Sequence, residues 1–395
     1  MGSLDGGGWV THLEGAIDGA KIPAGTLQTL HEGRPIVVRY DLDGIAKAVD
    51  RDRVMRRDPT MWRYRELLPV EDNANIVTLG EGMTPILPAP RLGKKHGLDY
   101  LYIKDEGQLP TGSFKSRGQS TCISMAKELG CSAVVVPTAG NAGGAMAAYA
   151  ARAGLEAHVF MPRDTPEVNR REAVLCGATV HLVDGLIDDC GRLAREGADA
   201  NGWFDVSTLK EPYRLEGKKT MGFEIAEQLG WQLPDVIVYP TGGGTGLVGM
   251  WKAFDELEAL GWLEDTRRPR LVAVQSEGCA PMVEAFHAGE RHARKFENAA
   301  TIASGLRVPA AVGDFMIMDA LRESRGTAVA VEEARIRHWM TEIASLEGIT
   351  LGPEPAACLG AIEKLAADGW IEADERVLLL GCGNAQKYPH AMPDV

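Results

Sequence analysis

No apolar run in the chain reaches the roughly 18 residues that a membrane-spanning helix needs, so no span is expected. Cysteine is sparse. The seven residues, Cys122, Cys131, Cys176, Cys190, Cys279, Cys358 and Cys382, are odd in number and contain no CxxC pair. That argues against a disulfide framework and against a zinc ribbon. Metal-ligand spacing is missing too. His31-Glu32 begins an HExxH pattern, but Pro35 stands where the second histidine belongs. The nine histidines form no metal-spaced cluster, His12 and His31 read as surface residues, and no metal is expected. Positive charge is in deficit: 42 Lys and Arg against 55 Asp and Glu give a net charge of −13. A broad nucleic-acid or anionic-membrane surface needs a positive field, so neither partner is expected. The start, Met1 to Gly8, has no charged n-region and no apolar h-region, and reads as a floppy terminus rather than a secretory signal. A soluble cytoplasmic protein is the expectation.

What the chain does contain is an ordinary globular composition, 45% hydrophobic and 25% charged over 395 residues. At about 150 residues per domain, that length corresponds to about two to three domains. Residues 9–80 are mixed, with a strand at Pro35–Tyr40 and an amphipathic helix at Met61–Leu68. From residue 100 onward, short β-branched runs alternate with helical patterns. Strands are expected at Tyr100–Lys104, Ala133–Pro137, Ala157–Met161, Thr179–Val183, Val236–Tyr239, Leu271–Gln275 and Arg376–Leu380. Helices are expected at Lys115–Leu129, Gly143–Ala153, Pro166–Cys176 and Leu186–Ala198. The alternation implies βαβ units, and the nearly all-apolar strands imply parallel sheets covered on both faces. Interleaved α/β/α domains follow. Ligands of such sheets bind where strand carboxyl ends meet helix N-termini, so the loops after strands hold the chemistry.

The loop after Tyr100–Lys104 reads DEGQLPTGSFKSRG (105–118). Pro110 and Gly112 punctuate a turn and place Lys115 in the first turn of a helix. The positive helix end disfavours an ammonium there and lowers the lysine pKa, which suits Schiff-base chemistry. Most lysines are instead solvated surface residues. A P-loop is excluded because Ser113-Phe114 follow Gly112 where Lys-Ser/Thr is required. The loop after Ala133–Pro137, TAGNAGG (138–144), offers backbone N–H groups for a carboxylate and the Asn141 amide for a ring oxygen; alone, it reads better as a tight, closely packed turn.

The loop after Val236–Tyr239, PTGGGTG (240–246), exposes backbone N–H groups beside a helix start, and Thr245 adds a hydroxyl. That is a phosphate cradle. Gly244, Gly246 and Gly249 also satisfy GxGxxG, which keeps an NAD-binding dehydrogenase as an alternative. Such an enzyme wants an acidic residue about 20 positions on, at the end of the next strand. That strand ends at Gln275. In the fourth loop, GCGNAQKYP (381–389), Cys382 could face a ring nitrogen, or be an ordinary buried thiol. Together the loops supply a lysine, a phosphate cradle, an amide donor and a neutral ring-nitrogen partner. A phosphorylated aldehyde, pyridoxal phosphate, needs that set.

These residues resemble the threonine synthases, within the tryptophan-synthase-β (fold type II) group of pyridoxal-phosphate enzymes. The resemblance runs from about Met61 to Pro389 and rests on MWRYRELLP (61–69), GEGMTP (80–85), KDEGQLPTGSFKSRG (104–118), GNAGG (140–144), EPYRLEGKKT (211–220), PTGGGTGL (240–247), VQSEGCAP (274–281), TIASGLRVP (301–309) and KYP (387–389). It implies that Lys115 is the imine lysine and proton shuttle. It implies that Gly242, Gly243, Gly244, Thr245 and Gly246 hold the cofactor phosphate and that Asn141 meets the ring hydroxyl. Thr138, Ala139 and Ala142 belong to the loop that grips the substrate carboxylate; Ser113, Arg117 and Lys218 lie near the substrate phosphate. The implied reaction is O-phosphohomoserine plus water to threonine plus phosphate, and the implied assembly is a homodimer. The implied domains are an N-terminal segment (1–80) packing on a large cofactor-binding domain (81–119 and 213–395), with a small mobile domain (120–212).

The sequence departs from the family at several points. Ser116 replaces the aspartate of Phe-Lys-Asp-Arg-Gly. Cys382 replaces the usual ring-nitrogen threonine, as in some serine/threonine dehydratases of the same group. Pro353-Glu-Pro-Ala356 also resembles the dehydratases. A β-eliminating hydroxy-amino-acid dehydratase is therefore the main alternative.

Overall fold

The computed structural model describes residues 8–393, so the terminal stretch before Gly8 lies outside it. The chain forms two compact units. The first runs up to Met83 and takes in Lys115–Glu224 and Lys252–Leu263; the second takes Thr84–Phe114, Ile225–Trp251 and the chain from Glu264 onward.

The second unit is built on a six-stranded sheet in the order Thr327–Val331, Arg270–Ser276, Val236–Pro240, Arg376–Gly381, Tyr100–Asp105, Ile86–Pro88. Five strands are parallel and the last pairs antiparallel at one edge. Both faces are dry, because runs such as VIVYP and VLLLG have no polar side to turn outward. Val236, Val238, Val272, Val274, Val377 and Leu379 pack on helices Ile336–Glu347 and Pro353–Ala367. Gly360 lets the indole of Trp339 lie against the second of these helices, where a Cβ would collide with it.

The first unit holds a four-stranded parallel sheet in the order Thr179–Val183, Glu156–Pro162, Ala133–Pro137, Phe204–Asp205. Period-two alternation divides its side chains. Val134, Val136, Val159 and Met161 join the core of helices Lys115–Glu128 and Asn141–Ala153. Val135, Phe160 and Val183 face Cys190 and Ala194 of helix Ile187–Asn201. The two units are thus α/β with mostly parallel sheets, and the expected strands recur within two residues at either end.

Two features of the first unit differ from expectation. An antiparallel sheet of Val10–Gly15, Lys21–Ile22 and Ile36–Tyr40 adds Leu13, Ile36 and Val38 to the core; only the last strand carries a clear apolar run. Met61–Leu67 is a tight 3-10 segment instead of an amphipathic α-helix with solvated charges. Its Arg63 is buried and donates to the carbonyls of Val54 and Met55, at 3.1 and 2.5 Å. Those carbonyls lie at the end of helix Arg51–Met55, where backbone acceptors lack intrahelical partners.

Candidate active site

In the second unit three adjacent parallel strands, Tyr100–Asp105, Arg376–Gly381 and Val236–Pro240, end at one edge of the sheet. Their following loops are joined. The Phe114 N–H donates to the Cys382 carbonyl at 3.0 Å, the Asn384 N–H donates to the Gly112 carbonyl at 3.0 Å, and Ser113 bridges Gly383. Ser113 is fully buried and Cys382 is 6% exposed. The Phe114 ring stands 6.2 Å from the ring of Tyr239, on the strand that leads into the glycine turn.

That turn requires glycine at two places. Gly244 has φ +71°, and any Cβ there would overlap the Ile317 side chain. A Cβ on Gly242 would overlap the carbonyl oxygen of Gly305. Gly305 is fixed in turn by its N–H, which donates to the buried Glu354 carboxylate at 2.7 Å. Helix Thr245–Ala259 starts directly after Gly244, so its free N–H groups and positive dipole end face the turn. A narrow, side-chain-free turn at a helix start, with the Thr245 hydroxyl beside it, fits a phosphate.

In the first unit Lys115, the residue after Phe114, opens helix Lys115–Glu128. Arg117, expected near a substrate phosphate, is fully buried; its guanidinium is taken up by Glu224 and Thr220. Ser116 is also fully buried and donates to the Tyr149 hydroxyl oxygen. Tyr149 donates onward to Glu81 at 2.6 Å, and Glu81 accepts from Trp62 Nε1 at 3.1 Å and from the Leu79 N–H at 2.9 Å. Burial, then the Glu81 charge, holds the Tyr149 hydroxyl well above its ordinary pKa, so it stays a donor. Glu81 and Tyr149 were not singled out from sequence as site neighbours, although Glu81 lies within the GEGMTP stretch.

The 138–142 loop sits between strand Ala133–Pro137 and helix Asn141–Ala153. The Thr138 N–H donates to the Phe160 carbonyl at 2.9 Å, and its hydroxyl accepts from the Gly140 N–H at 3.0 Å. Asn141 and Ala142 are the first helical residues, and Ala139 immediately precedes the Gly140 cap. Lys218, 2% exposed, lies on helix Tyr213–Gln228. The first unit therefore carries Lys115, Arg117, the 138–142 loop and Lys218; the second carries the glycine turn, Ser113 and Cys382. Asp18, His31 and Glu32 converge within 4.8 Å at the surface, a grouping that sequence spacing does not show. Among the described residues all seven cysteines are free, and no helix is long and apolar enough to cross a membrane.

Parallel sheets under helices, a glycine turn after one strand and a lysine opening the helix after another define a fold type II pyridoxal-phosphate enzyme. Residues 77–383 match the family described as pyridoxal-phosphate dependent enzyme. The chain is 34% identical to the threonine synthase of Methanocaldococcus jannaschii over 92% of its length and 90% of that protein. It is 36% identical to the threonine synthase of Methanosarcina acetivorans, covering 91% and 87%. Among solved structures, maize serine racemase (TM-score 0.69, 21% identity, 83% of this chain and 94% of that one) shares the fold. So does the diaminopropionate ammonia lyase of Escherichia coli (TM-score 0.67, 18% identity, 82% and 92%). The chain belongs to the threonine-synthase-like family of pyridoxal-phosphate-dependent enzymes. It is a lyase of that class, and its cofactor is pyridoxal phosphate.

Proposed function

We propose that the enzyme converts O-phosphohomoserine and water to threonine and phosphate. The observation that carries this reading is the likeness to threonine synthases over about nine-tenths of the chain. When bound, pyridoxal phosphate draws electrons from the substrate's α-carbon and acidifies its C–H bond. In this reading Gly242, Gly243, Gly244, Thr245 and Gly246 hold the cofactor phosphate, Asn141 meets the ring hydroxyl and Cys382 meets the ring nitrogen. Lys115 binds the aldehyde and then serves as the base. It would take the α-proton and a β-proton, the γ-phosphate would leave, the oxygen of water would add at the β-carbon, and Lys115 would return the two protons to the γ- and α-carbons while the phosphate carries off the proton of the water. One flexible amine suits transfers at neighbouring carbons.

Thr138, Ala139 and Ala142 belong to the loop that grips the substrate carboxylate; the Thr138 N–H itself is taken by the Phe160 carbonyl. Ser113 and Lys218 serve its phosphate, and Arg117 contributes by fixing the helix that Lys115 opens. Residues 120–212 move as a small domain to exclude water, and the assembly is a homodimer.

Cys382 and the Pro353-Glu-Pro-Ala356 stretch favour a second reading, a serine/threonine-type dehydratase. One experiment separates the two. Purified enzyme is given O-phosphohomoserine, threonine and serine while inorganic phosphate and keto acid are monitored. Threonine plus phosphate from the phosphoester supports the synthase; keto acid plus ammonia from the hydroxy amino acids, with the phosphoester untouched, supports the dehydratase. Lys115→Ala abolishes the absorbance of the lysine-bound cofactor, and an unchanged spectrum in that variant rules out Lys115 as the anchor.

A further inference from the structure

Helix Glu167–Leu175 of the first unit starts with an uncapped N-terminus. Its cap residue is Pro166, which makes no side-chain cap bond, and the Glu167 and Val168 N–H groups have no acceptor among the described residues. Two residues of capping type flank Pro166. Thr165 and Asn169 are each 1% exposed, yet the Thr165 hydroxyl and both polar atoms of the Asn169 amide have no hydrogen-bond partner among the described residues. Side chains on a helix tilt towards its N-terminus, so Asn169, in the first turn, reaches back over the open N–H groups. Arg170 reaches the same way. Its Nε is buried and has no partner, whereas its neighbours Arg163 and Arg171 are paired with Asp184 and Glu167. The helix dipole opposes a cation in the first turn, and among the described residues no carboxylate pairs with Arg170 to offset that. Buried polar atoms without partners are uncommon, and a group of them at one helix end signals an occupant.

The geometry points to a binding site for a tetrahedral oxyanion of the phosphate class at the start of this helix. Thr165 and Asn169 form its floor, and Arg170, partly exposed, forms its rim. The donors are the Glu167 and Val168 N–H groups, the Asn169 amide, the Thr165 hydroxyl and Arg170 Nε. Donors outnumber acceptors, and an anion gains from both the guanidinium and the dipole. A carboxylate has only two oxygens to set against so many donors; a phosphate has more. The site lies on the side of the sheet that carries the 138–142 loop. Strand Glu156–Pro162, which leads to it, pairs in parallel with strand Ala133–Pro137, which leads to that loop. The Glu172 side chain lies against Gly144, where a Cβ would overlap it. Asn169 precedes Glu172 by about one turn, as Asn141 precedes Gly144, so the two helix starts lie side by side. None of these donors belongs to the residues proposed for cofactor or substrate. The occupant is phosphate from solution or the phosphoryl group of a substrate; the second assignment rests on the proposed reaction, whereas the site itself does not.

The full-length holoenzyme, in buffer free of phosphate and sulfate, is titrated calorimetrically with inorganic phosphate. Saturable binding is expected. Arg170→Gln weakens it about tenfold and Asn169→Leu about fivefold, since each removes a hydrogen bond to a charged group. Arg170 is partly exposed and unpaired, so its variant tests the site without loading the core. In a second arm the KM for O-phosphohomoserine is measured in Arg170→Gln. A rise of about tenfold with kcat retained names the substrate's phosphoryl group as the occupant; an unchanged KM names free phosphate. Turnover enters only this arm, so an enzyme that leaves the phosphoester untouched is still tested for the site by the titration. Phosphate affinity equal in parent and both variants would overturn the assignment and leave Thr165 and Asn169 to an ordered water. So would the absence of saturable binding in the parent.

Discussion

Arg117 and Glu224 form a two-pronged ion pair closed off from solvent, with Nη1–Oε1 at 2.6 Å and Nη2–Oε2 at 2.7 Å, and both side chains 0% exposed. The pair ties helix Lys115–Glu128 to helix Tyr213–Gln228. Gly118 lies close to the Arg214 carbonyl there, and Gly217 lies close to the Arg117 carbonyl. Removing one partner leaves a buried charge uncompensated, which costs about 3–5 kcal/mol. Glu224→Gln is therefore expected to lower unfolding stability by about 3 kcal/mol in urea titrations. The double change Arg117→Met with Glu224→Leu is expected to recover most of that loss, because neither charge then remains buried. A single variant within about 1 kcal/mol of the parent would show that the pair does not hold these helices together.

The chain from Ser116 through Tyr149 to Glu81 supplies a second test. Ser116 directly follows Lys115 and is fully buried. The structure connects this position, through one phenol, to a carboxylate that is itself fully buried. Tyr149→Phe removes both a donor to Glu81 and the acceptor for Ser116. A cost of about 1–3 kcal/mol is expected for leaving these groups unsatisfied. Because Ser116 is adjacent to Lys115, the pH at which the lysine-bound cofactor's absorbance changes should also move. A stability loss with an unmoved spectral titration would assign the chain a purely structural role.

The four loops after strands were legible because each has its own local punctuation: an apolar run, then glycine or proline, then a helical pattern. The loops at 105–118, 138–144, 240–246 and 381–389 need nothing further to be found. What escaped depends on partners far along the chain. The resemblance places Arg117 near the substrate phosphate, and nothing local reveals its ion-pair partner Glu224, 107 residues on. The Tyr149–Glu81 bond spans 68 residues, and a buried carboxylate looks like any surface glutamate in sequence. The first strand, VTHLEG, alternates apolar and polar residues too weakly to separate it from a loop.

Glu211 carries a pH dependence whose sign follows from its burial. It accepts from the Tyr213 and Arg214 N–H groups at 2.7 and 3.1 Å. Desolvation outweighs those bonds and the Arg214 charge, and pushes its pKa up to about 7 from 4.5. The folded state then binds the proton more tightly than the unfolded chain. This contribution to stability is fully present below about pH 4.5 and is lost as pH rises through about 7. It amounts to at most about 3 kcal/mol at 1.36 kcal/mol per unit. Glu211→Gln keeps an acceptor and does not titrate. Denaturant midpoints of variant and parent, compared at pH 5 and pH 7.5, should therefore shift in the variant's favour as pH rises. A constant difference across that window would mean that Glu211 is ionised in the folded protein throughout.

The glycine turn gives the sharpest separation of cofactor binding from folding. Gly242→Ala directs a methyl group at the Gly305 carbonyl, a main-chain atom of a residue whose N–H is held by Glu354. Gly244→Ala meets the Ile317 side chain, which can move, but places alanine at φ +71°. Strain of this kind costs about 1–3 kcal/mol. If it is relieved by displacing the turn, the N–H groups proposed to hold the phosphate move with it. Both variants are expected to hold pyridoxal phosphate at least about tenfold more weakly in equilibrium dialysis, and Gly242→Ala more so, because its obstacle is main chain. Alanine at Gly249, about one turn into the helix, serves as the control, since it improves helix propensity and lies beyond the glycine turn. Cofactor retention by Gly242→Ala equal to that of Gly249→Ala would show that the phosphate does not rest on this turn.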